Sequence, residues 1–113
     1  MQRGEVYWVD LRGAEGVEIQ KTRTCVVVQN DVGNRYSPHT IVVPITDERG
    51  AKPLPTHVDV PASELGATGK DSVTKCEQLR TVDTNERFGD VVSTLSASTM
   101  GKIDAALRIS MNL

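Results

Sequence analysis

Histidine, cysteine and aromatic residues are scarce in this chain, and each scarcity excludes a class of chemistry. The two histidines, His39 and His57, and the two cysteines, Cys25 and Cys76, form no CxxC or Cys/His cluster, so a zinc site is excluded and a protein without metal or other cofactor is expected. Both cysteines sit in apolar, strand-like runs, with 50 residues between them, and read as reduced, packed thiols. GxSxG, HExxH, P-loop and dinucleotide-binding motifs are absent, and two scattered histidines do not supply a Ser-His-Asp or Cys-His arrangement. No apolar run approaches the roughly 20 residues that span a membrane. The opening MQRGEVYWVDL interrupts its apolar residues with Glu5 and Asp10, so no signal peptide is expected and the chain reads as cytoplasmic. Thirteen Lys and Arg against fifteen Asp and Glu give a net charge of −2. With no global basic field, any phosphate binding has to be local.

What is present is β-branched. At 113 residues the chain has the length of one domain, residues 1–113, and with one Trp, one Phe and two Tyr its core must come from Val, Ile and Leu. Cores this small often gain area by oligomerisation. Residues 4–10, GEVYWVD, alternate as a half-buried strand, followed by a polar, Gly-containing loop to Lys21. Residues 24–29, TCVVVQ, predict a second strand, and Asn30 to Asn34 carry turn chemistry, with Asx side chains and a glycine able to take positive φ. A third strand is expected from Thr40 to Ile45, stopped by TDERG, and a fourth from Thr56 to Val60 after a Pro-containing loop. Ser72 to Val82 is the longest strand candidate, with a bend or bulge near Glu77. Only the end reads as a helix, with Ser96 or Ser98 as N-cap and a stripe of Met100, Ile103, Leu107 and Met111. Five or more short strands and one terminal helix predict a mainly β chain, a small β-barrel with a helix packed on it.

Arg23 stands beside an apolar strand, where a guanidinium must either reach the surface or meet an anion. Read alone, it is a solvated strand-end arginine paired with an acid, or a bidentate phosphate clamp built on its fixed fork of N–H donors. Thr46 alone is a strand-end hydroxyl.

Several blocks, in order, change that setting. Arg3-Gly4-Glu5-Val6-Tyr7, the segment from Arg23 to Thr46, Leu54-Pro55-Thr56-His57-Val58, Asp71-Ser72-Val73 and Glu77-Gln78-Leu79-Arg80-Thr81-Val82-Asp83 resemble, from end to end, the MazF/PemK toxins. One departure is Thr24, where that family often has proline.

The resemblance implies an SH3-like (CcdB/MazF/PemK-type) barrel and the toxin of a type II toxin–antitoxin system. It implies a sequence-specific, metal-independent, ribosome-independent endoribonuclease that cuts single-stranded mRNA. Its catalytic pair falls on Arg23 and Thr46, and its RNA-binding positions on Arg3, Lys21, Ser72, Glu77, Gln78 and Arg80, with residues 17–22 and 49–54 in variable loops that help select bases. The implied partners are single-stranded RNA, a cognate MazE-like antitoxin and a second copy of the chain in a homodimer, with DNA met only through the toxin–antitoxin complex. The alternative from another class is a CcdB-like, non-enzymatic toxin that binds DNA gyrase. Those toxins end in Trp-Gly-Ile, whereas this chain ends Ser110-Met111-Asn112-Leu113 and its tryptophan is Trp8. An inactive SH3-like interaction module is the third possibility, which retention of both Arg23 and Thr46 disfavours.

Overall fold

A computed structural model of the chain describes residues 1–13, 16, 21–47, 50, 52–66 and 69–113. Of the variable loops expected at 17–22 and 49–54, residues 17–20, 49 and 51 lie outside the described residues. Along the chain run β1 (Glu5–Asp10), β2 (Thr22–Val27), α1 (Asp31–Tyr36), β3 (His39–Thr46), β4 (His57–Val60), β5 (Ser72–Lys75), β6 (Arg80–Asp83), β7 (Phe88–Thr94) and α2 (Ala97–Met111), with 3-10 turns at Ala62–Glu64 and Cys76–Gln78.

The uninterrupted valine runs of β2 and β3 follow from burial on both faces of the sheet. Val6, Val26, Val43 and Ile45 join one core cluster with Ile103 and Ala106 of α2, while Val9, Cys25, Val27, Val42 and Val82 form a second. Successive residues of each strand therefore enter different cores. All pairings are antiparallel, in the order β4-β5-β3-β2-β1-β7, with β6 also on β3. Among the described residues no ladder joins the outer strands β4 and β7, so the expected barrel is an open one.

The Ser72–Val82 strand is broken rather than bent. β5 pairs with β3 at Ile45 and Thr46, β6 pairs with it from His39 to Val42, and the Cys76–Gln78 turn fills the gap. Pro44 explains where the break falls. Val28 donates its N–H to Ile41 O at 2.9 Å, and the β2–β3 ladder alternates from there. The nitrogen of Pro44 thus turns away from β2, toward the side where β5 gives way to β6, and it has no hydrogen to offer a partner there. Cys76 uses the turn to drop its side chain into the core, where it is fully buried.

The Asn30–Asn34 turn signal resolves into the start of α1. Asn30 is its N-cap, its side chain accepting from Gly33 N at 2.8 Å. Gly33 is not at positive φ; it is small because Gln29 Nε2 lies 2.8 Å from where a Cβ would stand. β7 is a strand that the alternation of residues 88–94 left unmarked, because it is an edge strand with no fully buried residue.

α2 is capped as expected at Ser96, whose Oγ accepts from Thr99 N at 3.2 Å. A second cap comes from outside the helix: Glu64 accepts from Ser96 N and from Thr99 Oγ1, both at 2.6 Å. The buried stripe is Thr99, Ile103 and Ala106, flanked by Met100 and Leu107, whereas Met111 is exposed. Burial works to raise the Glu64 pKa, but the hydrogen bonds from Ser96 and Thr99 outweigh it and hold the carboxyl below the ordinary value of 4.5. A lowered folded-state pKa stabilises the fold fully above the unfolded value, and that contribution is lost as the pH falls through the folded value. Glu64→Gln is expected to cost about 1 kcal/mol at neutral pH, the usual worth of a cap. In urea titrations the deficit against wild type should shrink below pH 4.5; an equal deficit at pH 7 and pH 3 would contradict it.

Candidate active site

Arg23 and Thr46 are brought together by the register of the two central strands. Cys25 is paired with Pro44, Val26 with Val43 and Val27 with Val42. Continued by two residues, that register sets Arg23 opposite Thr46, on the side of the sheet shared by Cys25 and Pro44. Thr46 is itself paired with Val73 of β5, which leaves it 4% exposed at the end of β3. Arg23 is half-buried, backed by Val9 of β1.

Both residues line one open cleft of about 200 Å³, together with Trp8, Thr24, Ile45, Asp47, Leu65, Lys70 and Ser72. Two cations, one carboxylate and three hydroxyls thus converge on a floor of apolar side chains. Lys70 is exposed and sits 3.5 Å from Asp47, so its charge is partly offset in place. Ser72 donates its hydroxyl to Lys70 O at 2.9 Å, which ties the wall of β5 to the segment before it. Such a cleft suits an anion whose charge is spread over several oxygens.

Glu77, Gln78 and Arg80 line a second cleft of about 170 Å³, with Leu11, Val42, Pro44 and Leu79. The two clefts adjoin along β3, one at Val42 and Pro44, the other at Ile45 and Thr46. Arg80 donates to Leu11 O at 2.7 Å. Glu77 pairs with His57 Nε2 at 3.0 Å and accepts from Thr56 Oγ1 at 3.0 Å. Burial pushes its pKa up, but the bonds from His57, its own backbone and Thr56 prevail and keep it below the ordinary range. Glu77 is therefore an acceptor at neutral pH, suited to a base edge and not to a phosphate.

Arg3 and Lys21 line neither cleft. Arg3 precedes the opposite end of β1; its Nε donates to Val28 O at 2.8 Å and its terminal nitrogen meets Asp104 of α2 at 2.6 Å. Lys21 is exposed, with its carbonyl accepting from Leu11 N at 3.3 Å. Trp8, Asp47, Leu65 and Lys70 are cleft residues that sequence reasoning did not single out. Trp8 reads as one more alternating strand residue, and Lys70 as a loop charge, so neither carried a local signal.

Among the described residues no three His, Cys, Asp or Glu side chains are placed to share a metal ion. Both thiols are free and buried. Burial pushes Cys25 up to about 12, against a weak opposing pull from Arg80, and pushes Cys76 up to about 11. Such thiols carry almost no thiolate at neutral pH and are poor nucleophiles. An aromatic disulfide reagent is expected to label both only as fast as the protein unfolds; rapid stoichiometric labelling of the native state would contradict this.

The profile of the family described as PemK-like, MazF-like toxin of type II toxin–antitoxin system matches residues 2–111. The chain is 42% identical over 113 residues to Endoribonuclease EndoA of Bacillus subtilis, covering all of this chain and 96% of that one. It is equally 42% identical to Endoribonuclease MazF of Staphylococcus epidermidis, covering 92% of that protein. In fold it is similar to a mycobacterial endoribonuclease solved in complex with its cognate antitoxin, with a TM-score of 0.81 at 24% identity over 100% of this chain and 96% of that one. MazF of Deinococcus radiodurans superposes with a TM-score of 0.80 at 17% identity, covering 100% and 97% of the two chains.

Proposed function

Because the chain belongs to the PemK-like, MazF-like toxin family of type II toxin–antitoxin systems, we propose that its Arg23–Thr46 cleft holds a phosphate of single-stranded RNA and promotes its cleavage without a metal ion. The protein is an endoribonuclease. The observation that carries the mechanism is that Arg23 and Thr46, on different strands, line one cleft.

RNA brings its own nucleophile. The ribose 2′-OH attacks the phosphorus, the bond from phosphorus to O5′ breaks, and the proton lost by O2′ is balanced by the proton gained by O5′. The products are a 2′,3′-cyclic phosphate and a 5′-OH. The protein has to align O2′ with the leaving oxygen and stabilise the charge that gathers on the nonbridging oxygens. Arg23 supplies a fork of N–H donors and a fixed positive charge for those oxygens. Thr46 donates a hydroxyl hydrogen bond that orients the phosphate. The ordinary pKa of arginine, above 12, favours electrostatic stabilisation over proton abstraction as its main work.

Ser72 in the same cleft, and Glu77, Gln78 and Arg80 in the adjoining one, are assigned to RNA contacts, since the two clefts together make a track along β3. Unstacked bases can present their edges only when unpaired, which favours a single-stranded substrate. Lys21 is exposed and is kept as a backbone contact. The contacts of Arg3 with Val28 O and Asp104 support a structural tie between the start of β1 and α2 in place of an RNA contact.

The whole chain acts as one toxin domain in the cytoplasm, inhibited by a cognate antitoxin, and reaches DNA only through that complex. No helix among the described residues is long and apolar enough to cross a membrane. A second copy of the chain is the occupant proposed for the apolar groove of about 320 Å³ lined by Val28, Ile41, Leu79, Leu107, Met111 and Leu113. Met111 and Leu113 are 57% and 88% exposed at its rim, and a chain this short gains core area by pairing.

The purified protein is expected to cut a long unstructured RNA in EDTA and leave 5′-OH ends. Arg23→Ala and Thr46→Ala should each lose about 10²–10³ in kcat while keeping the wild-type circular dichroism, the usual cost of removing one preorganised donor. A magnesium requirement, or an active Arg23→Ala, would overturn the mechanism. For the dimer, Met111→Asp combined with Leu113→Asp should shift sedimentation toward the monomer. An unchanged sedimentation coefficient would place the interface elsewhere.

A further inference from the structure

Trp8 is the single aromatic side chain lining the Arg23–Thr46 cleft, and the strand is built so as to present it. Val6, two positions earlier on the same face of β1, is fully buried, whereas Trp8 is 39% exposed. Opposite it, β7 carries an extra residue: Tyr7 is paired with Val91 and Val9 with Phe88, so Trp8 faces both Gly89 and Asp90. A bulge of this kind bends the strand and re-aims a side chain. Gly89 leaves the room, because a Cβ there would lie 3.3 Å from Trp8 Cβ and 3.5 Å from its carbonyl oxygen. Thr24, the direct partner of Trp8 on β2, lines the same cleft.

The register sets Trp8 with Thr24 and Ile45 on one face of the sheet and Arg23 with Thr46 on the other, and the cleft they all line runs round the strand ends, so an apolar indole and a site for an anion border the same cleft. A nucleotide offers that combination, a flat base one sugar away from a phosphate. We propose that Trp8 is a stacking platform for a nucleobase flanking the scissile phosphate, and so positions the RNA strand for Arg23 and Thr46. The inference rests on the ribonuclease reading above and adds to it a residue that touches the base and not the reacting atoms. Stacking tolerates any base, since each has a π face, so Trp8 contributes affinity and alignment and leaves base selection to other groups. Double-stranded RNA, whose bases are not free to leave their stack, cannot use it.

Trp8 is the only tryptophan in the chain, so its fluorescence reports on this site alone. The probe is an oligoribonucleotide spanning a mapped cut site, with 2′-deoxyribose at the scissile nucleotide so that it binds uncut. Its binding should quench Trp8 emission, and replacing the flanking base by an abasic residue should remove the quench. In cleavage assays Trp8→Ala is expected to raise KM about 5- to 150-fold, the range for one stacked base, with Trp8→Phe restoring most of the loss. The abasic substrate should carry the same penalty with wild type and no further penalty with Trp8→Ala. A folded Trp8→Ala with wild-type KM, an abasic penalty that is unchanged in that variant, or unquenched fluorescence at saturation overturns the proposal. The fluorescence arm, with the intact and the abasic oligonucleotide, uses wild-type protein, so it decides the matter even if Trp8→Ala does not fold. A wild type that cuts no RNA sinks the ribonuclease reading and this inference together; one that cuts but fails these arms sinks this inference alone.

Discussion

The β2–β3 ladder is the constraint on which the site depends. Because these strands are buried on both faces, each residue belongs to one of two cores: Val26 and Val43 to one, Cys25, Val27 and Val42 to the other. A slip of one residue would exchange every side chain between the two cores and turn Arg23 or Thr46 inward. Close packing forbids that exchange at several positions at once. The same valines that stabilise the fold therefore hold an arginine across from a threonine two residues beyond the last paired position. The placement of Arg23 opposite Thr46 is a consequence of core packing.

Pro44 shapes the surroundings from the same strand. With no N–H on the outer side of β3, a continuous neighbouring strand would have an unmatched carbonyl there, and the chain instead turns through Cys76–Gln78 between β5 and β6. That turn puts Glu77 and Gln78 on the wall of a cleft beside Pro44. β5 continues past the end of the break to bury Thr46 against Val73. A proline in a central strand thus divides one long pairing into two and leaves adjoining clefts along β3 where an unbroken sheet would be smooth.

How legible each part was in the sequence follows from how local its signal is. The strands with buried faces were readable because burial leaves a run or an alternation of valines, and the helix because Met100, Ile103 and Leu107 repeat at helical spacing. The edge strand β7 buries no residue fully and so left no such mark. Asn30 announced a local backbone bond correctly, but the same side chain caps a helix or closes a turn, and the neighbouring Gln29 and Asn34 decided for the helix. Arg23 and Thr46 were nameable only through the ordered blocks that resemble one family; as isolated residues they read as structural. Trp8 was invisible as a cleft residue, since it stands opposite a bulge formed by residues more than seventy positions away.

The amino-acid sequence by itself determined a mainly β chain with a terminal helix, two inert thiols in apolar runs and the family to which the chain belongs, because hydrophobic period, capping chemistry and ordered motifs are all written in neighbouring residues. Tertiary structure alone decided that Arg23, Thr46, Ser72, Lys70 and Trp8 share one cleft, that Glu77 turns to His57, and that Arg3 ties to Asp104. Those are pairings between distant segments. They are set by register, by a missing proline N–H and by the geometry of a bulge, none of which exists until the strands are assembled.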